Sequence, residues 1–234
     1  MPAPRPPRPS GAIKKKKRSA SSARWLRRQL ADPYVAEARR LGYRSRAAFK
    51  LIELDDRFRL LRPGARVVDL GAAPGGWTQV AVQRVRPVPS RGKVVAVDIA
   101  GLDPIAGAET IGADVFAPDL PELVRQHLGG AADVVLSDMA PSASGHPGAD
   151  HLRIIGLAEA AAELAMAILA PGGSFVCKVW QGGTTPELLT LLKRRFATVR
   201  HAKPPASRAE SAEVYVVATG FRPEQGDAGP LTAC

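Results

Sequence analysis

Lysine is costly in the middle of an apolar, strand-like run, yet Lys178 stands in residues 174–179 (SFVCKV), between Cys177 and Val179. An amine withdrawn from water there needs a partner or a task. Asp138 is the natural partner, because it ends a second apolar run, residues 133–138 (DVVLSD). A lysine whose neutral form is made accessible by burial or neighbouring cations can take a proton from a hydroxyl. A purely structural ion pair would use the same two residues, and position alone does not separate these readings. Strand alternation sends Cys177 to the opposite face from Lys178, which suits a small core residue rather than a nucleophile.

A second set of residues suits a ligand. Residues 66–70 (RVVDL) run into a glycine-rich turn, so that residues 69–77 read DLGAAPGGW. Gly71, Gly75 and Gly76 let the backbone come close to a bound molecule. The spacing is not G-x-G-x-x-G, which weakens a dinucleotide reading. Carboxylates follow in order. Asp69 lies beside the loop, near a site for a cationic amino-acid or sulfonium group. Asp98 ends residues 93–98 (KVVAVD) and can accept from both ribose hydroxyls of an adenosyl group. Asp114 follows a short strand at 110–113 and can accept from an adenine amine. Together they describe S-adenosylmethionine, although helix capping would also use Asp69 and Asp98. The segment after residue 138 reads DMAP and lacks the Asn/Asp-Pro-Pro-aromatic tetrad of enzymes that methylate exocyclic amines. Methylation of a pyrimidine C5 would need a cysteine in the site. Both points favour an oxygen acceptor, toward which the protein supplies position and a base.

The elements that must hold these groups alternate. Asp32 and Pro33 open a helix that Gly42 ends, and Ser45 is placed to cap the next. After Pro63–Gly64, short β-rich runs alternate with helices at 78–85, 121–128, about 150–169 and 186–195, and residues 214–219 (VYVVAT) close the fold. Asp119 and Glu122 resemble a capping box. This is the pattern of an α/β fold, a mostly parallel sheet with helices on both faces. Ligands in such sheets sit beyond the carboxyl ends of the strands, where Asp69, Asp98 and Asp138 all fall.

The chain has 234 residues and a formal net charge of +11. Residues 1–62 carry eighteen Lys and Arg against five Asp and Glu, and the remainder fifteen against seventeen. So the excess charge sits entirely at the N-terminal end, as in a phosphate-binding surface. Arg24, Arg27, Arg28, Arg44 and Arg46 are the candidate phosphate contacts, with a solvated helix face as the alternative. Residues 1–22 read as a disordered basic arm. A solubilising tail or a mitochondrial presequence are the other readings, although the lysine run and the prolines fit the latter poorly. Two cysteines, Cys177 and Cys234, make no disulfide framework and point to a reducing compartment. No apolar run is long enough for a membrane span, and the four histidines lack metal-ligand spacing.

Residues 43–51 (YRSRAAFKL), 67–77 (VVDLGAAPGGW), 137–141 (SDMAP), 175–179 (FVCKV) and 203–208 (KPPASR) with 213–215 (EVY) resemble the FtsJ-type ribose methyltransferases. The resemblance runs from about residue 24 to residue 221. It implies a single Rossmann-like class I S-adenosylmethionine-dependent methyltransferase domain with a seven-stranded sheet at 63–221. An RNA-facing helical segment is expected at 23–62 and a flexible tail at 222–234. It also implies a Lys-Asp-Lys-Glu catalytic set at Lys50, Asp138, Lys178 and Glu213, with Lys178 as the key base. The cofactor would then lie at Gly75, Trp77, Asp98, Asp114 and Asp138. The implied substrate is a uridine ribose of 23S rRNA in the assembled large subunit, acted on by a cytoplasmic monomer without metal. A tRNA or mitochondrial target, or a non-catalytic assembly role, are the competing readings. Glu210 stands where the family often has arginine, which reverses a charge near Glu213.

Overall fold

The computed structural model describes residues 32–85, 92–141, 147–181 and 184–224. The basic arm, Arg24, Arg27, Arg28, Cys234 and all but the first three residues of the expected tail lie outside the described residues.

Two helices come first. In α1 (Pro33–Arg40) the Asp32 carboxylate accepts from the Tyr34 N–H at 3.1 Å, and Pro33 supplies the first helical position. Leu41 closes it, and Gly42 follows at φ +76°. In α2 (Ala47–Phe58) the expected cap is not made. Arg46 occupies the cap position with helical angles, and the Ser45 hydroxyl is buried with no hydrogen-bond partner among the described residues.

The sheet is built from β1 (Arg66–Leu70), β2 (Lys93–Val97), β3 (Glu109–Ile111), β4 (Ala132–Ser137), β5 (Leu169–Trp180), β6 (Phe196–Ala202) and β7 (Glu213–Phe221). The helices between them are α3 (Gly76–Val85), α4 (Leu120–Leu128), α5 (Pro147–Ile168) and α6 (Pro186–Arg195). Strand order is β3-β2-β1-β4-β5-β7-β6. The first five strands pair in parallel, while β7 runs antiparallel to both β5 and β6. Connections depart in opposite directions from β1 and β4, so the crevice that suits a ligand opens at their carboxyl ends.

Residue alternation along each strand splits the core in two. Val68, Leu70, Val95, Val97, Val135 and Cys177 face α4, α5 and α6. Val67, Val94, Val134, Leu136, Val176 and Tyr215 face α2 and α3. Ala48, Leu51 and Leu54 of α2 are buried in that second layer. The described part of the N-terminal segment, residues 32–62, therefore shares a core with the sheet.

Three local readings differ from the structure. Asp119 stands at the start of α4, but its side chain makes no capping bond. Helix α3 begins at Gly76 rather than Thr78, because the glycine pair leads directly into the turn. Strand β6 was not expected: it is an edge strand whose middle residues are mostly exposed, so it lacks an apolar run.

Candidate active site

The register of β5 against β7 builds the centre of the site. Lys178 pairs with Tyr215 and Trp180 with Glu213. Residues two apart share a face, so Lys178, Tyr215 and Glu213 all project toward α2. There α2 contributes Lys50. Asp138, immediately after β4, closes the group.

The polar chain is continuous. Glu213 Oε2 accepts from Lys50 Nζ at 3.0 Å, and Lys50 Nζ lies 3.9 Å from Asp138 Oδ1. Lys178 Nζ lies 3.3 Å from that same oxygen and donates to the Asp138 backbone carbonyl at 2.7 Å. Lys50 is 6% exposed and Lys178 5%. Amines this deep are stable only when paired and hydrogen-bonded, as these are. All four expected catalytic residues thus meet in one place.

Tyr215 is a member of the cluster that sequence reasoning left without a role. Its hydroxyl donates to Asp138 Oδ1 at 2.7 Å, and its ring packs 5.6 Å from that of Trp77. Burial and the adjacent Asp138 carboxylate push this hydroxyl well above the usual tyrosine range, which keeps it a donor. Its presence in the motif EVY was the available signal, but its partner was visible only through the strand register.

Beside the cluster lies a cleft of about 300 Å3. Its floor is Leu70, Gly71, Ala73 and Val97; its sides carry Asp98, Ile99, Asp114, Val115, Asp138 and Leu157. Asp98 is held by two backbone donors: Ala73 N–H gives to Oδ2 at 2.9 Å and Ala100 N–H to Oδ1 at 2.8 Å. Each oxygen thus accepts one backbone hydrogen bond while the residue lines the cleft. Asp114 Oδ1 accepts from Phe116 N–H at 3.1 Å, leaving its other oxygen available. Gly71 has φ +72°, and a Cβ there would lie 2.5 Å from Met139 Cγ and 3.0 Å from Met139 Cα. Only glycine allows β1 and β4 to close on the ligand space this way.

Other expected cofactor residues stand behind the cleft. Asp69 is fully buried beneath the loop, where Thr78 Oγ1 donates to its Oδ2 at 2.6 Å. Burial first, then the nearby Asp138 and Asp98, push its carboxyl up to about 7. Its Oδ2 is engaged by Thr78, and Asp69 is not among the residues that line the cleft. Trp77 is also interior, its indole N–H donating to the Ala47 carbonyl at 2.8 Å. Gly75 and Gly76 pack against Ile105 and Ser45. Cys177 belongs to the opposite core layer, and burial pushes its thiol up to about 12, which removes thiolate chemistry.

The two described candidate RNA arginines are engaged within the molecule. Arg46 Nε lies 3.0 Å from Asp32 Oδ2, with an N–H to the Ala206 carbonyl at 2.5 Å. Arg44 donates to backbone carbonyls of Pro74, Asp103 and Pro104. Among the described residues no group of His, Cys, Asp and Glu could hold a metal. No described helix is long and apolar enough to cross a membrane.

A cleft at the β1/β4 switch, a carboxylate presented after β2, and a lysine–carboxylate cluster at its edge define an α/β methyltransferase. Residues 43–221 match the FtsJ-like methyltransferase family, and the chain belongs to it. The chain is 63% identical over 209 residues to "Ribosomal RNA large subunit methyltransferase E" of Paramagnetospirillum magneticum, covering 88% of this chain and 86% of that protein. It is 60% identical over 208 residues to the protein of the same name from Rhodospirillum rubrum, covering 88% and 79%. Among solved structures, a Plasmodium falciparum protein described as a ribosomal RNA methyltransferase superposes with a TM-score of 0.68 at 29% identity, covering 76% of this chain and 98% of that one.

Proposed function

We propose that the protein uses S-adenosylmethionine to methylate the 2′-hydroxyl of a uridine ribose in 23S rRNA, within the large ribosomal subunit in the cytoplasm. The names of the relatives support the substrate. The observation that carries the chemistry is the contact of Lys178 with Asp138 at the edge of the cleft.

The residues present fit the cofactor. Asp98, pre-oriented by two backbone donors, suits the ribose diol; Asp114 suits an exocyclic amine; Ile99, Val115 and Leu157 suit the faces of a purine. When bound, the cofactor supplies a methyl group on a cationic sulfur and keeps the bonding electron pair as that methyl leaves. Lys178 in its neutral form accepts the 2′-hydroxyl proton as the oxygen attacks. Asp138 fixes the amine with one carboxylate oxygen and one carbonyl, and Lys50, held by Glu213, places a second amine where negative charge develops on the oxygen. The closely packed cluster would position the ribose beside the cleft, and such positioning supplies much of the rate in methyl transfer. Arg24, Arg27, Arg28 and the 1–22 arm would grip phosphates around this centre.

The test is ribose-methylation mapping of 23S rRNA and tRNA from cells lacking the protein, complemented by wild type or Lys178→Ala. Loss of one 23S uridine methylation, restored by wild type only, is expected. With purified subunits, Lys178→Ala should lower turnover by about 10²- to 10⁴-fold while cofactor binding persists. Near-normal turnover would remove Lys178 as the base. A missing tRNA methylation would redirect the substrate.

A further inference from the structure

We infer that Arg44 is a positioning residue for the methyl-donor cleft, a clamp across its two loops, rather than a phosphate contact. The inference rests on the proposed use of S-adenosylmethionine in this cleft. Two segments shape the cleft. The turn after β1 provides Gly71 and Ala73, and the stretch after β2 provides Asp98 and Ile99. On the cleft side they are joined by the Ala73 N–H to Asp98 hydrogen bond at 2.9 Å. Away from that bond, Arg44 hydrogen-bonds to both segments. Its Nη1 donates to the Pro74 carbonyl at 3.3 Å and to the Asp103 carbonyl at 2.8 Å, and its Nη2 to the Pro104 carbonyl at 2.8 Å.

The planar fork matters, since one ammonium cannot reach the same carbonyls with the same geometry. Packing reinforces the clamp. A Cβ on Gly75 would lie 2.5 Å from Ile105 Cδ1 and 3.1 Å from Arg44 Cδ, so the second loop and the arginine stem are both seated on that glycine. Arg44 is itself held. Its backbone N–H donates to Gln79 Oε1 at 2.8 Å, and Gln79 Nε2 donates to the Gly42 carbonyl at 2.9 Å. The linker between α1 and α2 is thereby fastened to α3, and its arginine spans the loops that carry Asp98.

Binding of S-adenosylhomocysteine by calorimetry and the salt dependence of RNA binding separate the two roles. For Arg44→Ala the clamp predicts about tenfold weaker S-adenosylhomocysteine binding, a raised KM for the methyl donor with kcat largely kept, and a salt slope like that of wild type. A phosphate contact predicts unchanged S-adenosylhomocysteine affinity and a slope shallower by about one. Arg44→Lys keeps the charge and loses the fork, and it serves if the alanine variant folds poorly. Weakened S-adenosylhomocysteine binding with an unchanged slope supports the clamp, and wild-type affinity overturns it. If wild-type protein itself binds no S-adenosylhomocysteine, the cofactor reading fails, a result distinct from variants that bind as well as wild type.

Discussion

One carboxylate oxygen organises the site. Asp138 Oδ1 accepts from Tyr215 and lies within ion-pair distance of both Lys178 and Lys50. Tyr215→Phe keeps the ring and removes one donor, leaving the paired amines in place. We expect turnover to fall about tenfold with a small change in Tm, roughly the worth of one hydrogen bond to a charged group; single-turnover kinetics beside thermal melts check it. Asp69 gives a pH prediction. Its folded value of about 7 lies above the 3.8 of an ordinary aspartate. The folded state keeps the proton across that interval and the unfolded state does not. Its contribution is therefore fully present below the lower value and lost as pH rises through the upper one. Asp69→Asn cannot titrate, so the Tm of wild type should fall relative to the variant as pH is raised from about 4 to about 8. The Lys178 amine and the Asp138 carboxylate of the candidate site were readable one by one, because a polar residue within or ending an apolar run is conspicuous in any chain. Tyr215 and Arg44 were not, because a tyrosine in a β-rich run and an arginine after a helix are ordinary until the partners across the fold are known.

At the scale of elements, the turn after β1 lies tightly against the residue following Asp138. Gly71→Ala would place a methyl against the Met139 backbone in a left-handed conformation. We expect loss of methyl-donor binding and a Tm lower by several degrees, from about 1–3 kcal/mol of strain, measured by calorimetry and melting. The glycine turn, the parallel strands and most helix positions were legible from apolar periodicity and from Pro, Gly and Asp at the ends. Strand β6 was not, because a half-exposed edge strand carries no run of buried residues. The Ser45 cap failed for a related reason: Gly76 packs directly onto that hydroxyl, and tertiary contact overrode a local preference.

Across the whole molecule, the excess positive charge lies in residues 1–62, whereas three of the four candidate catalytic residues lie beyond them in the chain. Residues 1–22 hold seven Lys and Arg and no acid, and Lys50 is the member of the candidate cluster that comes from the basic residues 1–62. Deleting residues 1–22 should weaken RNA binding and flatten its salt dependence, with methyl-donor affinity unchanged; filter binding over a salt series reads this directly.

The order β5-β7-β6 has a temporal side. The last strand of the sheet is not an edge but a wedge, entering between two strands made before it. It brings Glu213 to Lys50 across 163 positions of chain. A polypeptide halted before residue 213 thus leaves Lys50 without the Glu213 carboxylate, Asp138 without its phenol and β5 paired on its β4 side alone. The proposed lysine–carboxylate cluster is therefore complete only once β7 has been inserted between β5 and β6.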